Sequence, residues 1–258
     1  MIIEALALGA CFYGGLHKYL DDPRYSDSSG LSTLTVTPSP DPLSVLNAIH
    51  ADPCFDGLFT TPGYANIAPL FAKREAAVLS YWNAWKLTSP TAAFAASQRA
   101  AAALLVGTVP APAPAAHSSS SASTPFDFFL VHLLTSSHAV RILLAGVPAR
   151  VQTPLVRQWW LLAVAVYVAQ LRPAIDVGRI ERVELRGRGW PDVESAARSG
   201  AGRFDAHFVK VLRALREAAR TWGDEDAFYL KAAIGFADSW GGWKGFGVDD
   251  EDEVHNDG

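Results

Sequence analysis

Residues 124–146 read TPFDFFLVHLLTSSHAVRILLAG, and residues 153–171 read TPLVRQWWLLAVAVYVAQL. Each stretch opens on Thr-Pro and closes against a stop, Gly146 and Pro148 in the first and Arg172-Pro173 in the second. Proline suits a first helical turn, whose N–H groups have no partner within the helix, and glycine or proline just past the last turn ends it. Both stretches are therefore predicted as helices, the first starting at Thr124-Pro125 and the second at Thr153-Pro154. The densest apolar run, Trp159 to Leu171, falls short of the roughly 20 residues needed to cross a bilayer, so it reads as a buried helix and no membrane span is expected.

Working outward, helical spacing of apolar residues recurs over Ile2 to Tyr19, over Ile67 to Leu87 and over Ala92 to Val106. Asp41-Pro42 supplies a cap and a first-turn proline for a short helix to Ala51. Further helices are expected from about Asp205 to Trp222 and from Asp226 to Trp240. Pro23 to Asp41 reads as a surface loop. Pro110 to Thr124 alternates Ala and Pro and ends in serines, a composition unable to build a core, so it reads as a flexible insertion. The glycine-rich residues 241–247 and the acidic residues 249–258 read as a tail. No stretch alternates as a strand between hairpin turns. The predicted fold is all-α: a multi-helix globular bundle with an N-terminal part (1–109), the insertion (110–124), a C-terminal part (125–248) and an acidic disordered tail (249–258).

Half of the 258 residues are hydrophobic, enough for a sizeable core. A net charge of −4 with scattered Lys and Arg offers no basic field for phosphate backbones, which argues against nucleic acid. Cys11 and Cys54 are too few for a disulfide framework and lack metal-ligand spacing. The opening residues have no signal-peptide pattern, and a cytoplasmic location is expected. Phosphate loops, dinucleotide fingerprints, nucleophile elbows and HExxH motifs are all missing, so no flavin motif is present.

What remains is histidine in unusual places. His132 sits among Phe128, Phe129, Leu130, Val131, Leu133 and Leu134, where a buried imidazole needs a hydrogen-bond partner or a metal. On spacing alone it is a core histidine bonded to a carbonyl or hydroxyl. His138, six positions on, faces elsewhere and reads as structural or exposed. His207 and Lys210 share one helical face, with Asp205 as the expected N-cap, and by themselves read as a surface pair.

The order TPFDFFLVHLLTSS, VYVAQLRP, Gly189-Trp190, DAHFVKVLRAL and FYLKAAIGFADSW, preceded by MIIEALALGACFYGGLHKYLDD, resembles the C-terminal part of the fungal questin oxidase-like family. That resemblance implies an oxidoreductase of secondary metabolism acting on aromatic polyketides of the anthraquinone type. The implied reaction is a Baeyer–Villiger-type monooxygenation or a ring cleavage, with NADPH as a possible co-substrate. It also implies a non-haem iron held by histidines and a lysine carboxylated by carbon dioxide, matched here by His132, His207 and Lys210. Imidazole suits iron, and carbamylation turns a lysine cation into an oxygen-donor anion. Ala206 stands where the family has glycine. The family's upstream histidines have no counterpart, and His17 and His50 are not expected to replace them. The chain is accordingly expected to be part of a larger helical fold and to self-associate through its opening helix. The competing expectation is an inactive helical relative that binds a hydrophobic ligand or a partner protein.

Overall fold

The computed structural model describes residue 16 and residues 18–26, 36–108 and 123–247. Helices dominate. α1 (Pro42–Ala51) starts as expected: the Asp41 carboxylate accepts from the backbone N–H groups of Leu43 and Ser44, and Pro42 fills the first turn. α2 (Ile67–Ala84) and α3 (Pro90–Gly107) follow. From Ala100 to Gly107 every residue of α3 is buried, so the alanine-rich run forms a central helix enclosed on all sides, as an all-round apolar helix must be. Its small side chains let neighbouring helices approach closely.

β1 (Thr124–Asp127) leads directly into α4 (Phe128–Gly146), and α5 (Ala149–Ala169) packs on both α4 and α2. The packing of α2 on α5 includes the Trp82 indole donating to the Arg157 carbonyl at 2.9 Å, with the Arg157 guanidinium 4.1 Å from the Trp82 ring centre. After α6 (Val177–Glu181) and α7 (Trp190–Ser199), α8 (Ala206–Trp222) packs against α4 and against α9 (Phe228–Asp238). β2 (Trp240–Lys244) closes the described chain by pairing parallel with β1, Phe126 opposite Trp243 and Asp127 opposite Lys244.

The all-α expectation holds, with three local corrections. Thr124-Pro125 does not start a helix. Those residues lie in β1, and Asp127 is the true N-cap of α4, accepting from Phe129 and Leu130 N–H at 2.8 and 2.9 Å. The second helix begins at Ala149 rather than at Pro154, which sits inside it and forgoes the N–H bond to the carbonyl four residues before. Residues 240–244 are a strand and not part of a tail, because pairing with β1 satisfies their backbone groups. α6 and α7 were not foreseen.

The expected opening helix before residue 16, Cys11, His17, most of the insertion and the acidic tail lie outside the described residues. α4 is long and apolar enough to cross a membrane by length and composition. Its buried side chains Leu130, Val131, Leu133 and Leu134 pack within the bundle against α3, α5 and α8. Cys54 is a free thiol beside Asp52, and burial raises its pKa to about 12, so it is not a reactive thiolate at neutral pH.

Candidate metal centre

His132 is placed by the Asp127 cap, which fixes where α4 starts and therefore which face each residue takes. The imidazole is exposed, not buried in the core: it stands on the side of α4 that looks towards the start of α8. His207 comes from that start, one residue into a helix capped by Asp205, whose carboxylate accepts from Phe208 N–H at 2.8 Å. The two imidazole ring centres lie 5.1 Å apart. Phe128 packs edge-on against both, 4.7 Å from His132 and 4.9 Å from His207.

The far side of the pair is built by the strand and the residues after it. The Trp243 ring lies 6.0 Å from His207, and its N–H donates to the second carboxylate oxygen of Asp205 at 3.0 Å. Asp205 thus caps α8 with one oxygen and anchors Trp243 with the other. Phe246 lies tilted against Phe128 at 4.8 Å, extending an aromatic rim that continues through Phe129 to the exposed Tyr64.

Protonation is largely fixed by geometry. His132 Nδ1 lies 2.6 Å from the Phe128 carbonyl oxygen. A carbonyl only accepts, so Nδ1 carries a proton, and the neutral ring is the tautomer with its lone pair on Nε2, the one a metal ligand needs. Burial, then the neighbouring His132 and Lys210, hold His207 below the ordinary imidazole pKa, with Asp205 pulling the other way. His207 is therefore neutral and able to ligate at neutral pH. Lys210 is exposed one turn along α8, close enough for its charge to act on His207.

His138 is not part of this cluster. It contacts Arg141, and burial, Arg141 and Arg213 depress its pKa. His50 is engaged elsewhere, its Nδ1 donating to the Arg172 carbonyl at 2.6 Å. Among the described residues no three His, Cys, Asp or Glu side chains gather as a metal cage. The donor set fits a metal in part: two imidazoles, with Lys210 able to contribute an oxygen only as a carbamate.

A family model described as questin oxidase-like matches residues 1–215, a span that contains His132, His207 and Lys210. The chain belongs to the questin oxidase-like family. No curated protein matches it. Membership of the questin oxidase-like family supports an oxidoreductase-type function. The match stops short of residues 228–240, which were also quoted above for the resemblance, and of the strand that supplies Trp243. Phe128, Trp243 and Phe246 escaped the sequence reading. A signal existed in WGGWKGFG (240–247), where aromatic rings recur every third residue among glycines, a spacing with no use in a solvated tail.

Proposed function

We propose that this protein is an oxygenase of aromatic polyketide metabolism that inserts oxygen into, or cleaves, an anthraquinone-type ring, with a non-haem iron held by His132, His207 and carbamylated Lys210. The observation that supports it is the meeting of two imidazoles from separate helices beside a lysine, within the matched span and inside an aromatic rim. Bound iron would supply dioxygen activation or polarisation of a quinone oxygen at its open positions.

The protein's own residues do the rest. The Phe128 carbonyl holds the His132 tautomer, and the Asp205–Trp243 hydrogen bond fixes one wall of the site. The faces of Phe128, Trp243 and Phe246 offer a flat, planar substrate a stacking surface. NADPH fits as a freely dissociating co-substrate supplying two electrons, one atom of dioxygen entering the product and the other leaving as water.

The test is iron content after anaerobic ferrous loading, together with turnover of an emodin-type quinone with dioxygen and NADPH. His132→Ala and His207→Ala should each lose most of the bound iron, while His138→Ala should retain it. Equal retention in all three variants would remove the metal assignment. Stoichiometric binding of the quinone without iron or turnover would instead favour a non-catalytic relative that binds a hydrophobic ligand.

A further inference from the structure

Where β1 and β2 end, at Asp127 and Lys244, lies a cavity of about 290 Å³. Pro62, Leu130, Leu171 and Pro173 give it apolar walls, and Asp127, Gln170 and Lys244 give it polar ones. Gln170 is 4% exposed, yet neither its amide nitrogen nor its amide oxygen has a hydrogen-bond partner within the protein. Leaving both groups unmet would cost a few kcal/mol, so they call for a partner inside the cavity.

Asp127 completes the polar end. One carboxylate oxygen caps α4, and the other faces Gly245. A Cβ placed on residue 245 would stand 2.6 Å from Asp127 Oδ2 and 3.0 Å from Gln170 Oε1, so both oxygens converge on one small volume. Gly245 has φ +95°, a backbone that glycine adopts freely, and its missing side chain keeps that volume open.

The turn that presents Gln170 is strained and held in place. Leu171 and Arg172 both have positive φ, at 63° and 51°. The Arg172 guanidinium holds them by donating to the carbonyls of Ile49, His50 and Asp52 and to the Asp56 carboxylate. Strain of this kind persists where the surrounding structure over-determines it, and such positions cluster at ligand sites.

We propose that this cavity is a binding site for a small, neutral primary carboxamide. The polar groups at this end are the amide NH2 and amide oxygen of Gln170, both without a partner within the protein, and the Asp127 Oδ2 that converges with them. A primary carboxamide offers the complement: a carbonyl for Gln170 Nε2, one N–H for Gln170 Oε1 and a second N–H for Asp127 Oδ2. A cation would meet Lys244 and an anion would meet Asp127, whereas a neutral ligand meets neither penalty. The apolar walls take its hydrocarbon part. The site uses none of the proposed iron ligands, so it stands or falls separately from that reading.

The test is calorimetric titration of the iron-free protein with benzamide, benzoate and benzyl alcohol, with amide chemical shifts recorded in parallel. Benzamide should bind saturably and shift the Leu130 and Gly245 amides, and the other two should bind roughly tenfold more weakly. Asp127→Asn keeps the capping oxygen but turns a donor on the ligand's N–H. Gln170→Met keeps the length and removes the amide. Each should weaken benzamide by about tenfold or more. Benzamide that fails to bind, that binds Asp127→Asn as tightly as the parent, or that shifts amides elsewhere would overturn the proposal. So would a crystal grown with benzamide in which only water meets the Gln170 amide. If Gln170→Met does not fold, Asp127→Asn and the three-ligand comparison still decide.

Discussion

Helix α3 and the β1–β2 edge flank the same core, yet they are built on opposite plans. α3 buries apolar residues on every side over residues 100–107, so its position there follows from packing, with buried Gln98 tying it to Ser137 and Trp222. The edge places exposed His132, half-buried His207 and exposed Tyr64 in one aromatic rim beside a strand pair, and holds it with single polar contacts such as Asp205 to Trp243. The contrast teaches that close packing holds the interior while single polar contacts hold the edge that carries the candidate site. Substitutions in the first should unfold the chain, and substitutions in the second should leave it folded and altered.

The largest expected effect is therefore inside. Trp82 is 1% exposed and carries both the hydrogen bond and the cation–π contact that join α2 to α5. Trp82→Ala should cost about 3–5 kcal/mol in urea unfolding. A cost below about 1 kcal/mol would mean that the interior is not the close-packed unit described here.

Asp127 stands between the two regions, and its effect has the opposite sign. Burial raises its pKa from 3.8 to about 6, against the pull of the Leu130 and Phe129 N–H groups and Lys244. A carboxyl whose folded pKa lies above its unfolded value holds its proton more tightly when folded. Stability should then fall as pH rises from about 4 to about 6 and stay level above that. Asp127→Asn keeps the cap without the charge, so it should flatten this slope and gain on the order of 2–3 kcal/mol at pH 7. Parallel pH profiles for parent and variant would refute the burial.

How much of this was legible follows from the same contrast. The interior helices could be read because apolar spacing, Asp41-Pro42, Asp205 and Gly146 act within a few residues of one another. His132, His207 and Lys210 were named through family resemblance, and the structure brings the two imidazoles together beside Lys210. The edge could not be read locally, since β1 and β2 are far apart in sequence and, beyond the aromatic spacing of residues 240–247, neither segment shows which partner it pairs with. Thr124-Pro125 carries a sound helix-start signal, and long-range pairing to residues 240–244 overrides it. Gln170 was not singled out in the sequence, because nothing nearby shows that its amide turns inward.

Asp205 tests the edge by itself. Asp205→Ala removes both the α8 cap and the Trp243 anchor and should cost about 1–2 kcal/mol. Asp205→Asn keeps the cap oxygen and loses the anchor, so it should cost about half as much while still speeding hydrogen exchange along residues 240–244. Unchanged exchange in both variants would separate Trp243 from α8.

The smallest effect concerns the imidazoles. His207 owes its depressed pKa to burial first, then to His132, then to Lys210, with Asp205 opposing. Lys210→Met removes one of the lesser causes, so the His207 midpoint in an NMR titration should move up towards 6.5 without reaching it, because burial remains. His132→Ala removes the larger of the two neighbour effects and should move the midpoint further, although it also uncovers the ring and lets water in, which acts in the same direction. Neither variant should change the unfolding midpoint measurably at pH 7, where His207 is neutral in both the folded and the unfolded chain and contributes no linkage. Below 6.5 the parent should lose a little stability as the unfolded chain takes up a proton the folded one resists, and Lys210→Met should lose less. Identical His207 titrations in the parent and both variants would mean that the rings do not sense each other in solution, and the paired donor set would have to be abandoned whatever the fold.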